Sequence, residues 1–216
     1  GLHSAMVVRW PGKVQPGSVS KAMVEYTDIT PTFVAAAGGR LNSALDGRSF
    51  LPVLTGQADR HKQYVYGIHT TRGIINGSEC FPIRTVRDEQ FRLIWNPSYE
   101  ATFTNACTKS AIFQSMLDAA DNGDQHAQRV TYNYQHRPEW ELYDVQADPQ
   151  EQHNLFGQPG QQQHVERLQQ QLKQWMTQQG DRGIETEMDA LNHQASALRK
   201  QNRQSMDRPS KKRSRK

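Results

Sequence analysis

Apolar and polar positions alternate most clearly in the middle of the chain, where YVYGIHT (Tyr64 to Thr70), FPIRTVRD (Phe81 to Asp88) and FRLIWN (Phe91 to Asn96) each read as a strand. In the second, Phe81, Ile83 and Thr85 share one face and Pro82, Arg84 and Val86 the other, and Asp88-Glu89 predicts a hairpin turn into the third. Glu139 to Val145 predicts a last strand, and Ser110 to Ala120 a short helix. From Gln161 to Gln178 the period lengthens: Val165, Leu168, Leu172, Trp175 and Met176 recur at three and four residue steps, the stripe of a helix that covers strands.

Nearer the start, Ala5 to Trp10 (AMVVRW) predicts a buried strand closed by Pro11-Gly12, with a second turn at Pro16-Gly17. After the apolar stretch Lys21 to Tyr26, a helix is predicted from Pro31 to Gly38-Gly39, capped by Asp28 or Thr30. Leu45 to Leu54 reads as loop around an Asp46-Gly47 turn. Beyond Gly180, rising Gln, Ser and Arg content predicts an acidic patch, a weak helix near Met188 to Leu198, then disorder.

Composition changes the picture in two places. At 35% hydrophobic residues and a mean hydropathy of −0.84, a chain of 216 residues can bury one core and a small annex but leaves part of itself unpacked. The net charge of +4 is concentrated: Leu198 to Lys216 holds nine Lys or Arg against Asp207, a net of +8, which leaves −4 for the remainder. Such a run is a solvated extension able to attract polyanions. It lacks aromatic residues to stack bases and a periodic helix to enter a groove, so no nucleic-acid partner is expected. No apolar run reaches the roughly 18 residues of a membrane span, so no membrane partner is expected either. Gly1 opens without the charged and apolar regions of a signal peptide, so the start reads as a cut. Two cysteines, Cys80 and Cys107, allow one bridge or two free thiols.

The most specific segment is Trp140 to Leu155, WELYDVQADPQEQHNL. Its aromatic start suits a half-buried strand, and Asp148-Pro149 stops it with a turn. Glu141-Leu-Tyr-Asp, Asp148-Pro, Glu151 and Asn154-Leu together resemble the closing segment of the sulfatase family. Gly1 to Gly38, with Trp10-Pro-Gly and Asp28-Ile-Thr-Pro-Thr, resembles an earlier stretch of the same family, and Asp46-Gly-Arg-Ser-Phe-Leu-Pro with Thr55-Gly its next. HTTRG, FPIRTVRD, FRLIWN and RPEWELYD are most similar to the heparan N-sulfatase (N-sulfoglucosamine sulfohydrolase) branch.

The resemblance implies an α/β chain: the C-terminal portion of an alkaline-phosphatase-like sulfatase fold, ending in a small antiparallel sheet packed by a C-terminal helix, then a disordered basic tail. It divides the chain into the end of the catalytic core at 1–60, a sheet and helix subdomain at 61–180 and a tail at 181–216. It further implies hydrolysis of sulfuric esters or sulfamates on sulfated glycans, in a secreted, periplasmic or lysosomal setting. The family's chemistry uses a formylglycine nucleophile and a calcium ion held by oxygen ligands, which suit that hard cation. Both sites are expected upstream of Gly1, so neither a catalytic nor a metal-binding residue is expected in this chain, which would be inactive alone.

Cys80, Pro82 and Arg84 reproduce the spacing Cys-x-Pro-x-Arg from which formylglycine is made, but a five-residue match needs its structural context. The family motif opens a helix and has small residues at the open positions. Here Phe81 and Ile83 occupy them, the segment alternates like a strand, and it follows the Asp28 block where the family's nucleophile precedes it. Asp121-Asn122 is likewise a loop or cap beside Gly123. What the resemblance leaves to this chain is the rim of the pocket. His69, Thr70 and Arg72 are the candidates to contact the sugar, a guanidinium being suited to paired hydrogen bonds with sulfate or carboxylate. The plainer alternatives are a satisfied strand-end histidine and a solvated loop arginine. Arg84 and Arg87 read as structural or solvated; His3 stands close to the start without a family role; His126, His136, His153 and His164 lack metal-site spacing. Two other classes stay open: a non-catalytic module that binds a sulfated polymer through its tail, and a phosphoesterase relative sharing the fold.

Overall fold

The structure is a computed structural model and describes residues 4–74 and 76–193. His3 and the basic tail lie outside them. Four strands, β1 (Val65–His69), β2 (Ile83–Arg87), β3 (Phe91–Trp95) and β4 (Trp140–Asp144), form one antiparallel sheet in the order β1-β2-β3-β4. The β2-β3 turn forms where expected: Asp88 Oδ1 accepts from the amides of Gln90 and Phe91, and the Asp88 amide donates to Phe91 O at 3.0 Å. Burial, however, does not alternate. Arg84, Thr85 and Val86 are buried in succession, as are Leu93 and Ile94, then Glu141, Leu142 and Tyr143. Such runs mark strands covered on both faces.

The chain divides into two units, one of residues 1–67, 85–94 and 141–172, the other of 68–84, 95–140 and 173–216. In the first, a 3₁₀ turn (Tyr26–Asp28) leads into helix α1 (Ile29–Ala36). The helix starts two residues before the predicted Pro31, and Asp28 makes no side-chain cap. Leu45 to Leu54 is not all loop, because Leu51–Leu54 closes a single helical turn, α2. Gly47 lies so close to the main chain that a Cβ would sit 2.0 Å from Thr27 O, which restricts the position to glycine. Ala5 to Trp10 is not the buried strand its letters describe: it pairs with no strand among the described residues, and Val7 is 93% exposed, the state of a core strand without its neighbours. A parallel core strand needs neighbours on both sides and cover on both faces. The Pro11-Gly12 turn that ends it does form, with Lys13 and Val14 amides on Trp10 O.

Helix α5 (Gln162–Gln178) begins in this first unit, and its stripe is buried at Val165, Leu168 and Leu172. His164 stacks on Phe91 at 4.2 Å, and Arg167 bonds Asp88 at 2.6 Å and the Tyr64 hydroxyl at 3.1 Å.

The second unit carries helices α3 (Ala111–Asp121) and α4 (Gln125–Gln135), which pack as a hairpin. Ser110 caps α3 through Phe113 N, and Asp124 caps α4 through His126 N and Ala127 N. Helix α6 (Ile184–Asp189) and a 3₁₀ turn (Ala190–His193) follow α5, so the helix expected near Met188 begins earlier, at Ile184.

Candidate functional site

The segment Trp140 to Leu155 works as a lock on the sheet. After β4, Asp148 Oδ2 accepts from the amides of Gln152 and His153 at 2.7 and 2.8 Å, closing the turn. Glu151 sits at φ 54°, and its carboxylate clasps Arg92 Nη1 of β3 at 2.7 and 2.8 Å. Asn154 Oδ1 then accepts from the amides of Leu142 and Phe156, both at 2.9 Å, while the Leu155 amide returns to Leu142 O at 2.7 Å. Asp148, Glu151 and Asn154 thus satisfy backbone or pin a neighbouring strand, while Glu141 takes the Tyr143 hydroxyl within β4 at 2.5 Å. The motif is scaffold, not chemistry.

A buried charge cluster in the same unit was not anticipated. Asp28 is fully buried and accepts from the Glu25 and Arg48 amides at 2.9 and 3.0 Å, with Lys62 Nζ at 2.8 Å. Lys62 also pairs with Glu25, whose other oxygen takes the Tyr66 amide at 2.8 Å. Burial pushes the Asp28 carboxyl up, but Lys62 and the two amides outweigh it and hold it below its ordinary value. His61 Nε2 lies 3.2 Å from Asp28 Oδ2 but out of hydrogen-bonding alignment, and burial holds the imidazole below its ordinary range despite Asp28. With both Asp28 oxygens occupied, the cluster ties the loop before β1 to the turn before α1.

The predicted site residues fall together at the end of β1, in the second unit. His69 ends the strand, and Thr70, Thr71 and Arg72 turn away from it. His69 is half-buried beside Phe103, ring centres 5.8 Å apart, and its Nε2 is covered without a hydrogen-bond partner. Burial lowers its pKa, helped by Arg137 and Arg84 and opposed by Glu187, so the ring is neutral at neutral pH. Thr70 is half-buried. The Arg72 side chain is 22% exposed, its Nε is buried without a hydrogen-bond partner, and Nη1 holds Glu79 Oε1 at 2.6 Å, a carboxylate side chain that is 79% exposed.

What fixes this turn was missed in the sequence. Arg84 is 1% exposed and spans from the His69 and Ile83 carbonyls, 3.1 Å each, to Asp181, whose carboxylate takes both its Nε and its Nη2. Burial raises the Asp181 pKa, but Arg84 and the Gly183 amide overcome it and the net shift is downward. Glu187, fully buried, accepts with Oε1 from the Thr71 amide (2.6 Å), the Thr71 hydroxyl (3.0 Å) and the Arg72 amide (2.7 Å). Thr71 Oγ1 in turn accepts from the Phe81 amide at 2.8 Å. Arg84 is therefore structural, and the buried threonine of the pair is Thr71.

Cys80 is a partly buried free thiol in a non-helical stretch leading into β2, so it lacks the helix start that the formylglycine motif requires. Asn122-Gly123 ends α3, Gly123 at φ 94°, as the cap reading requires. Among the described residues, no group of three or more His, Cys, Asp or Glu is arranged to hold a metal ion, and no helix is long and apolar enough to cross a membrane.

The chain matches the family model described as "N-sulphoglucosamine sulphohydrolase, C-terminal" over residues 1–104 and 124–178. It is 37% identical over 181 residues to an ulvan-active sulfatase of Formosa agariphila, covering 84% of this chain and 34% of that protein. With the human N-sulphoglucosamine sulphohydrolase it shares 30% identity over 190 residues, 77% of this chain and 37% of that protein. A solved structure of a protein in complex with its substrate D-glucosamine-2-N,6-O-disulfate superposes with a TM-score of 0.56 at 24% identity, over 82% of this chain and 28% of that one. The chain spans about a third of the length of the two curated relatives. Residues 105–123, with α3, and everything beyond 178, with α6, lie outside the family match.

Proposed function

The chain belongs to the sulfatase family and carries the C-terminal part of its alkaline-phosphatase-like fold, and on that premise we propose that it supplies a substrate-recognition edge for hydrolysis of sulfated amino-sugar glycans. The turn His69 to Arg72 contacts the sugar, and Arg72 takes a sulfate or carboxylate group. Formylglycine and calcium belong to the part of the family's length that this chain does not span. Neither fits the residues present: Cys80 precedes a strand, and no described cluster suits a metal ion. No bond-breaking step is assigned to these residues, and the proposal gives the chain recognition of the sugar and not its hydrolysis. A secreted, periplasmic or lysosomal setting belongs to the same proposal.

One observation carries the reading. Arg72 already holds an anion at the surface, the exposed Glu79 carboxylate, beside a turn that is otherwise anchored from within. An ion pair whose carboxylate is 79% exposed is worth about 1 kcal/mol, so a sulfate can replace Glu79 at little cost, and a guanidinium suits it through paired hydrogen bonds. The family model's description and the human relative's name favour N-sulfoglucosamine as the unit. Greater identity to the ulvan-active enzyme favours a second reading, an ulvan-type polysaccharide.

Calorimetric titration of the chain with D-glucosamine-2-N,6-O-disulfate and with ulvan oligosaccharides separates the two. Arg72→Ala should weaken binding of the preferred ligand about tenfold, one charge-assisted contact being worth roughly 1.5 kcal/mol. Glu79→Ala should leave it equal or tighter. Unchanged binding in Arg72→Ala would remove the turn from the site.

A further inference from the structure

We propose that Glu187 is a positioning residue for the recognition turn: from α6, beyond the family match, it holds the Thr71 and Arg72 amides in the geometry that presents Arg72 to the sugar. The inference rests on the reading of the His69 to Arg72 turn given above. Glu187 lies 116 residues from Thr71 and 115 from Arg72 in sequence, yet one of its oxygens gathers three donors from that turn at 2.6, 3.0 and 2.7 Å. Two successive amides directed at one carboxylate oxygen fix the backbone between them, because each has a single donor direction. A fully buried carboxylate without donors would be costly, so turn and glutamate hold each other in place.

The second anchor comes from the same segment. Asp181, two residues before Gly183, holds Arg84, and Arg84 donates to the His69 carbonyl. Gly183 itself sits at φ 67° against the Trp95 ring, where an added Cβ would approach to 3.2 Å, which fixes the entry into α6. Both ends of the turn, the His69 carbonyl and the Arg72 amide, are thus held by residues 181–187. The apolar neighbours of Glu187 on α6, Ile184 and Met188, are each 43% exposed, whereas Glu187 is fully buried, so the carboxylate is the most deeply placed side chain of the helix.

The test is amide hydrogen exchange on the chain, paired with titration of D-glucosamine-2-N,6-O-disulfate. In Glu187→Ala the Thr71 and Arg72 amides should exchange at least about tenfold faster while Val86 and Leu93 in the sheet keep their rates, and affinity should fall about tenfold, the loss of one hydrogen bond to a charged group. Glu187→Gln, which keeps the acceptor oxygen and the shape, should restore slow exchange and bring affinity back to within about threefold. Unchanged exchange at Thr71 and Arg72 in Glu187→Ala, or equal acceleration of the sheet amides in both variants, would overturn the proposal by making Glu187 irrelevant to the turn or merely global in its effect. A native chain that fails to bind the disulfate refutes the sugar-recognition reading, and the exchange data then still decide whether Glu187 holds the turn.

Discussion

Removing the charge of Asp181 probes the anchor of the turn after β1 most sharply. Arg84 and Asp181 side chains are 1% and 5% exposed, and the carboxylate takes two of the guanidinium's donors plus the Gly183 amide. In Asp181→Asn the shape survives but Arg84 remains buried without its counter-ion. Breaking a buried pair from one side costs about 3–5 kcal/mol. The His69 and Ile83 carbonyls still accept from Arg84 Nη1, and the new amide oxygen can keep one bond, so the lower end, about 3 kcal/mol, is expected. With a urea m-value of about 2 kcal/mol/M, the unfolding midpoint should fall by about 1.5 M. The double variant Arg84→Met, Asp181→Leu should recover most of that loss, since an apolar pair of similar volume replaces a buried ion pair at little cost. A midpoint shift below about 0.5 M in Asp181→Asn, or a double variant as weak as the single one, would refute the claim that this pair is a desolvated electrostatic anchor.

Three further outcomes follow from the structure. Asn154→Ala orphans the amide of the fully buried Leu142 and should cost about 1–3 kcal/mol in urea unfolding, whereas Asn154→Asp, which keeps the acceptor, should cost less. Acid should destabilise the chain in two stages: His61 and His69 have folded pKa values below the ordinary 6.5, so the unfolded state takes up protons first and stability falls as pH drops below about 6.5. Asp28 and Asp181, held below the ordinary 3.8, lose their contribution only as pH falls through their own lower values. A thermal-melting profile flat between pH 7 and 5 would contradict the histidine stage. Cys80→Ser should leave sugar affinity and melting temperature within error of the native chain, and a large loss of affinity would return the Cys80 motif to consideration.

Much of the scaffold was legible because it obeys local periodicity. The β2-β3 hairpin follows from alternating residues around Asp88, and α5 from its stripe at three and four residue steps. The proposed contact residues His69, Thr70 and Arg72 were chosen through resemblance and not through chemistry visible in the letters, and the structure places them at the end of β1. What escaped the sequence was long-range and polar. Helix α4, QHAQRVTYNYQ, carries only a weak stripe, Ala127, Val130, Thr131 and Tyr134, and the Asp124 cap behind Gly123 is its clearer signal. Arg84 sat at an alternating position that predicts solvent on one face, yet the strand is buried on both. Glu187 gave the reverse signal, since the apolar Ile184 and Met188 beside it are exposed and the charged residue is the buried one. A carboxylate that collects amides more than a hundred residues away leaves no periodic trace. The opening run Ala5 to Trp10 has the apolar letters of a buried strand, but burial depends on neighbours, and the described residues of this chain supply none, as befits a core strand parted from its sheet.

The central claim, that the turn at the end of β1 meets a sulfated amino sugar, is tested most directly by amide chemical-shift mapping on the chain during titration with D-glucosamine-2-N,6-O-disulfate. The account predicts saturable shifts concentrated at Ile68 to Gly73 and Glu79 and absent in Arg72→Ala. Shifts confined to Arg199 to Lys216, or none at the turn at saturation, would contradict it.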